Sequence, residues 1–342
     1  MPEGHSIHRI ARQFRANFVG KVVAASSPQG RFVDGAAMLD GRTMTDARAV
    51  GKHLFLEFDH DEWLRVHLGL YGAWDFAGKI TVDATLASAG GRIGQTNQRG
   101  TDPDLLNLPA SLDLPDGLYG VEDSLTSIGA PRRTRLRISE GERVDEVGEA
   151  GDDTFPPEPV GAVRLRLLTD DAVADLRGPT ACEVLGPLGV ESVLLRLGPD
   201  PANENTPEAE DEFVRRLRRS STQVGVLLMD QSVVAGIGNV YRAELLFRAR
   251  LNPSTPGNQV SEAQARALWR DWAKLLDEGI RTGQMITMDG LDEDAYRAAM
   301  ASRDDRHWVY HRTGLPCRIC GTPIALAEVA GRKLYWCPDC QQ

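Results

Sequence analysis

Cys317, Cys320, Cys337 and Cys340 stand as two CxxC pairs separated by sixteen residues. Two tight turns of this kind present four thiolates in the tetrahedron that zinc favours. Four thiolates leave no open coordination position, so one Zn2+ held here is structural and stiffens a hairpin too small to have its own core. The bland alternative is four unrelated reduced cysteines. The fifth, Cys182, stands alone. A second constellation is Gln231-Ser-Val-Val-Ala-Gly-Ile-Gly-Asn239, which lies between two helix candidates. Gly236 and Gly238 permit close backbone approach, and Asn239 opens the second helix, where free N–H groups favour a phosphate. An ordinary N-capped helix packed through glycine has the same pattern. The third is the start, Met1-Pro2-Glu3-Gly4. With Met1 removed, Pro2 carries a free amine whose ordinary pKa near 8 leaves part of it unprotonated at neutral pH. A helix N-terminus beside it disfavours positive charge further. Such an amine is a nucleophile that forms Schiff bases, with Glu3 next to it to shuttle protons. Taken alone, a proline and a glutamate simply start a helix.

The elements that must position these groups follow from periodicity. Ile7, Ile10, Ala11, Phe14 and Phe18 recur at helical spacing and Gly20 offers a stop, which predicts an amphipathic helix at the beginning of the chain. Apolar or alternating runs at 21–25, 53–58, 63–68, 71–76 and Val163–Leu167 suggest short strands in a β-sandwich. Residues 85–159 are rich in Gly, Pro, Asp and Glu with little periodicity, and read as an irregular acidic surface insertion. The second half is helical, with candidates at Phe213 to Arg219, Gln223 to Asp230, Asn239 to Arg250 and Ser261 to Arg281. The fold class is therefore α+β and multidomain. The expected divisions are an N-terminal sandwich domain flanked by helices (1–197), a linker (198–212), a helical domain (213–314) and a four-cysteine zinc hairpin (315–342).

The net charge of −10 argues against a polyanionic partner until it is divided along the chain. Residues 81–160 carry 7 basic and 15 acidic groups, and residues 196–212 carry 1 and 6, whereas residues 213–342 carry 18 and 14. The acidity sits in the insertion and the linker, which leaves a basic groove possible elsewhere, and local field outweighs net charge. No stretch approaches the roughly 20 apolar residues of a membrane span, and no signal-peptide run opens the chain. The expectation is a soluble, cytoplasmic monomer.

Several motifs taken together add a resemblance. MPEG at the start, Lys52 in GKHLF, DQSVVAGIGNVYRAELLFRARLNP at 230–253 and YHRTGLPCRIC…GRKLYWCPDCQ at 310–341 resemble the formamidopyrimidine-DNA glycosylase/endonuclease VIII family. The likeness covers most of the chain, residues 85–159 being the main exception. It implies a bifunctional glycosylase and abasic-site lyase acting on damaged double-stranded DNA, with a helix–two-turn–helix domain before the zinc hairpin. Pro2 is then the nucleophile that displaces the base. Glu3 is the general acid/base, and Lys52 contacts a phosphate and assists catalysis. The resemblance places Asn239 and Arg332 on phosphates flanking the lesion. It places Leu70 and Tyr71 in the space that the flipped base vacates. Without it, Lys52 and Arg332 read as solvated surface cations, and Leu70 and Tyr71 as strand packing.

Two departures stand out. His5 and Ser6 follow Gly4 where the family often has Pro and a second Glu, which leaves Glu3 as the sole carboxylate at the N-terminus. The acidic insertion matches no functional element. MPEG resembles the endonuclease VIII branch, which implies oxidised pyrimidines as substrates and β,δ-elimination. The rivals are the same mechanism aimed at 8-oxoguanine and formamidopyrimidines, and a catalytically silent DNA-binding module. A silent module has no need of Pro2 or Glu3.

Overall fold

The computed structural model describes residues 2–81, 127–129 and 155–342. The first helix, α1 (Gly4–Asn17), buries Ile7, Ile10, Ala11 and Phe14. Strands β1 (Val22–Ser26), β2 (Arg42–Val50), β3 (His53–Phe58), β4 (Glu62–His67), β5 (Ala73–Gly78), β6 (Ser127–Gly129), β7 (Val163–Leu168), β8 (Ala172–Arg177) and β9 (Ala181–Leu185) follow, with the short helix α2 (Val33–Leu39) after β1. All pair antiparallel in the order β6-β5-β8-β7-β1-β2-β3-β4-β9. Only two residue pairs, Val22 with Thr43 and Val23 with Arg42, join β1 to β2. The sheet turns over at this weak junction into a sandwich. Leu165, Leu167, Trp74 and Phe76 from one layer share a core with Leu54, Leu56, Leu64 and Val66 from the other. Helix α1 reaches the same core, where Phe14 meets Trp74 and Phe76 edge-on at 4.9 and 5.2 Å. Helix α3 (Pro187–Leu194) covers the outer face of the second layer by packing Val190 and Val193 on Phe55 and Trp63.

The helical half contains α4 (Pro207–Arg218), α5 (Val224–Leu227), α6 (Asn239–Arg248), α7 (Glu262–Thr282) and α8 (Glu293–Ala301). Ser261 and Gln264 close a capping box on α7, and Gly283 ends the helix at φ 73°, a conformation favourable only to glycine. Ala265, Leu268, Trp272 and Leu275 of α7 lie in one core with Val240, Tyr241 and Leu245 of α6. The final hairpin, β10 (Ala325–Val329) and β11 (Arg332–Trp336), sends Leu334, Tyr335 and Cys337 into that same core. The helical half also covers the polar face of α1, so His5, Ser6, His8, Arg9 and Gln13 are all buried. The Arg9 guanidinium donates to the Ile280 carbonyl at 2.5 Å, a cation at the electronegative end of α7.

The α+β class with sandwich, helical region and terminal hairpin is as expected from the pattern. Three local expectations need correction. The run at 71–76 enters its strand only at Ala73. The reading of 85–159 as irregular lies mostly outside the described residues, yet Ser127–Gly129 form β6, with Ile128 buried in the core. The segment 198–212 is not a free linker. Asp200 is buried, and α4 starts at Pro207 with the Thr206 side chain accepting from the Ala209 amide. Pro, Asn, Asp and Glu are loop formers, and they are also the residues of caps and first helical turns, where Glu208 and Glu210 meet the helix dipole. Among the described residues no helix is long and apolar enough to cross a membrane.

Candidate active site

Pro2 is buried and leads into Glu3, the N-cap residue of α1. Glu3 is completely buried and its side chain does not cap its own helix. The carboxylate crosses instead to the start of α6. There Oε1 accepts from the Val240 amide at 2.9 Å, and Oε2 accepts from Gly238 at 2.9 Å and Tyr241 at 3.4 Å. A helix N-terminus is a suitable seat for an anion, and in this chain the anion is a side chain. The expectation that these N–H groups await a phosphate is corrected accordingly. The glycines of the 231–239 segment serve this approach. A Cβ on Gly238 would lie 2.3 Å from Cδ of Glu3, and one on Gly4 would lie 2.9 Å from the Gly236 Cα. The Gly4 amide donates to the Gly236 carbonyl at 2.9 Å, which completes the seam.

His5 and Ser6 lie beneath the seam. Burial, reinforced by Arg9, pushes the His5 imidazole down to about 3, so it is neutral. Its ring meets Tyr241 edge-on at 5.6 Å. At neutral pH this position therefore holds a packing group, not a second charge.

Lys52 occupies the two-residue turn between β2 and β3, where Val50 pairs with His53. Gly51 takes φ 57°, which suits the first central position of a primed hairpin turn. A Cβ there would also strike Ala235 at 2.7 Å. Burial pushes the Lys52 ammonium down to about 8. Glu3 works against this shift, and Arg332 and Arg242 add to it. Those four charges share one site, although they come from α1, a β-turn, α6 and the hairpin. Arg242 was not singled out in the sequence. It is three residues beyond Asn239 on the same face of α6, and that spacing is the signal that could have marked it.

The side chain of Asn239 is engaged. Its Nδ2 donates to the Lys333 carbonyl at 2.9 Å, and its Oδ1 accepts from Arg242 Nη2 at 2.5 Å. Asn239 therefore ties α6 to the hairpin beside Arg332, the first residue of β11 and an exposed one. Ala330 and Gly331 form the tip of the hairpin with φ of 52° and 69°, as a type I′ turn requires. At the base of the hairpin, the sulfurs of Cys317, Cys320, Cys337 and Cys340 all lie within 4.8 Å of one another. Cys317 to Cys340 is 4.0 Å and Cys320 to Cys337 is 3.4 Å. Tetrahedral zinc with bonds of about 2.3 Å sets sulfurs about 3.8 Å apart, so the donor set and its spacing fit one Zn2+. Cys182 is remote from this cluster, on β9, opposite Val66.

Leu70 and Tyr71 are not core residues. They sit on the turn after β4 and are 42% and 45% exposed. The pairing of His53 with His67 brings the end of β4 beside the start of β3, so this apolar turn emerges at the same end of the sheet as Lys52. The structure thus brings Arg332 and Glu3, the neighbour of Pro2, within electrostatic reach of Lys52, with Asn239 on the helix that receives Glu3 and the exposed pair Leu70–Tyr71 at the same end of the sheet as Lys52.

Comparison with known proteins gives three consecutive family matches. Residues 1–103 match the formamidopyrimidine-DNA glycosylase N-terminal domain, residues 197–289 its H2TH domain, and residues 314–342 a zinc finger found in FPG and IleRS. Endonuclease 8 1 of Mycobacterium tuberculosis is 34% identical over 341 residues, spanning 100% of both chains. The formamidopyrimidine-DNA glycosylase of Thermus thermophilus is 41% identical over 152 residues, covering 44% of this chain and 55% of that protein. Among solved structures, Lactococcus lactis Fpg in complex with DNA containing N7-benzyl-Fapy-dG superposes with a TM-score of 0.66 at 21% identity, over 100% of both chains.

Proposed function

The chain belongs to the formamidopyrimidine-DNA glycosylase/endonuclease VIII family of DNA glycosylases and abasic-site lyases, and from that premise we propose that it excises oxidised pyrimidines from damaged duplex DNA through the amine of Pro2. The observation that carries the proposal is the Glu3 carboxylate, buried beside Pro2 and fixed by three backbone amides of the second half of the chain. Placing a carboxylate there costs desolvation, and a purely structural seam has no need of one.

In the proposed sequence, the unprotonated Pro2 nitrogen attacks C1′ of the flipped nucleotide and the base departs with a proton. Opening of the sugar ring as the base leaves, with Glu3 taking up a solvent proton and passing it to O4′, leaves an iminium between Pro2 and C1′. Proline is a secondary amine, so this adduct is obligatorily cationic and acidifies the protons on C2′. Loss of one of them expels the 3′-phosphate, a second elimination expels the 5′-phosphate, and water releases Pro2. Lys52, Asn239 and Arg332 grip the phosphates that hold the nucleotide. Leu70 and Tyr71 fill the vacated stack. Zinc, when bound, stiffens the hairpin that carries Arg332 and takes no part in these steps.

The choice of pyrimidines rests on MPEG at the start and on the end-to-end likeness to a protein named endonuclease 8 1. It is tested with duplexes that each carry one lesion. Thymine glycol or 5-hydroxyuracil should be cleaved at least about tenfold faster than 8-oxoguanine opposite cytosine, a discrimination within reach of a pocket that reads a flipped base. The reverse order reassigns the substrate to oxidised purines and leaves the mechanism standing.

Lys52 gives a prediction in pH. Its ammonium loses its proton near 8 in the free protein, and only the charged form pairs with a phosphate. Affinity for a duplex containing an abasic-site analogue should therefore weaken as pH rises from 7 to 9, with proton uptake on binding in that window. Lys52→Arg, charged throughout, should flatten the profile. Lys52→Ala and Arg332→Ala should each lower the slope of log affinity against log salt by about one. A pH-independent wild-type affinity, or an unchanged slope in Arg332→Ala, removes the corresponding contact.

A further inference from the structure

The turn that carries Lys52 is held by a residue outside both the sandwich and the helices. In a two-residue hairpin the first turn residue has no partner in the ladder for its N–H, and here that group belongs to Gly51. The Gly51 amide donates to Oδ2 of Asp200 at 2.6 Å. The same oxygen accepts from His8 Nε2 on α1 at 2.9 Å, and Oδ1 accepts from the Ala202 amide at 3.0 Å. Asn203 bridges Asp200 Oδ2 at 3.2 Å and the Ala49 carbonyl at 2.8 Å. Asp200 is 4% exposed, so these directed bonds form where water does not compete. Its segment is fastened in turn to the glycine-rich turn ahead of α6, since the Ala235 amide donates to the Pro199 carbonyl at 3.0 Å. One carboxylate thus links the helix that begins beside Pro2, the turn of Lys52 and the segment that receives Glu3.

We propose that Asp200 is a positioning residue that aims Lys52 at the reacting nucleotide through the peptide of Gly51, with His8 as its brace on α1. The proposal rests on the role in the reaction assigned to Lys52 above. Apolar packing could hold the two halves together equally well. A buried acceptor of several hydrogen bonds instead fixes the orientation of a peptide plane, and a shift of about 1 Å at a catalytic group is enough to cost a large rate factor.

The test is a double-mutant cycle on the full, zinc-loaded chain. Single-turnover cleavage of a preformed abasic site is measured for Asp200→Asn with Lys52 intact and in Lys52→Ala. Asparagine keeps the shape but offers one acceptor oxygen, so its NH2 must face donors at one end, either the Ala202 amide or the Gly51 amide and His8, and the link is broken there. If Asp200 acts through Lys52, Asp200→Asn slows cleavage at least about tenfold with Lys52 present and less than about twofold in Lys52→Ala. Equal slowing in both backgrounds, or no slowing in either, overturns the proposal. A normal rate in Lys52→Ala alone refutes the role of Lys52 itself, and that result is read without reference to Asp200. Should thermal melting show Asp200→Asn unfolded, the cycle is run with His8. His8→Ala should slow cleavage in the same Lys52-dependent way, and His8→Gln, which still donates to Asp200, should restore it. Equal rates for the two His8 variants overturn the proposal.

Discussion

Borohydride added during turnover should trap a covalent adduct between the protein and a lesion-bearing strand, and Pro2→Gly or an N-terminal extension should reduce that adduct by about a hundredfold or more. The magnitude is that of losing a positioned nucleophile. An extension acylates the nitrogen, and an amide cannot form the iminium that the reductant captures. Glycine supplies a primary amine in place of the secondary one and lacks the ring that fixes φ, so it presents a nucleophile in a looser place. Glu3→Gln gives the complementary result. Two of the three amides on Glu3 converge on Oε2 and the third on Oε1, and a glutamine must turn its NH2 toward at least one of them. Excision from an intact lesion should fall much further than cleavage of a preformed abasic site, because only the first needs proton transfer to coincide with departure of a base. Full trapping by a protein with a blocked amine would rule out Pro2, and equal losses on the two substrates would rule out the proposed division of labour for Glu3.

The same residues show how far the sequence could be read. The two CxxC pairs fix their own geometry within a short hairpin, so the donor set was legible from spacing alone. The helical stripe of α1 and the strands at 53–58 and 163–167 were legible because their apolar residues recur at the period of the element or form a short apolar run, although the fold buries residues on both faces of each. The partner of Glu3 was not. Nothing in MPEG says that its carboxylate reaches across to Gly238, and Asn239 drew attention as the start of a helix whose amides another segment had already taken. Asp200 was hidden by its neighbours. Acidic residues with Pro and Asn have the composition of a linker, and only a long-range hydrogen bond to Gly51 distinguishes a staple from a tether. Arg242 was missed for a similar reason, since an arginine on an amphipathic helix reads as solvated until it is seen completely buried. Groups whose role depends on contacts between the two halves leave little trace in local pattern.

Charge follows the same logic. A chain with net charge −10 gathers Lys52, Arg242 and Arg332 at one site around a single carboxylate. Burial, with the repulsion among these cations adding to it, lowers the Lys52 and Arg242 proton affinities, the latter to about 10. On the proposed reading, a phosphate bound beside these cations would offset that repulsion and favour their charged forms. This explains how an acidic protein can bind a polyanion, with affinity that falls as salt is added.

Removal of zinc should have the second large effect, and through structure instead of chemistry. Metal analysis should find one zinc per chain, and Cys337→Ser should lose both the metal and at least about tenfold in affinity for lesion-bearing duplex. A two-stranded hairpin is marginal alone, and a structural zinc site contributes on the order of 10 kcal/mol to folding. Cys337 is completely buried beside Leu334 and Tyr335 in the core shared with α6. Loss of the metal therefore loosens β11, and with it the Lys333 carbonyl that receives Asn239 and Arg242. Arg332, the first residue of that strand, is then no longer held in place. The segment ahead of the cysteine cluster has its own anchor, because the buried Glu244 carboxylate accepts from the amides of Trp308, Val309 and Tyr310 at 2.8–2.9 Å. Most helical circular dichroism should accordingly survive in Cys337→Ser while DNA affinity and its salt slope fall, a combination that global unfolding cannot give. Cys182→Ser, remote from the cluster, should keep its zinc and bind DNA normally. A metal-free protein with full affinity and activity would show that the four thiols hold the hairpin by packing alone.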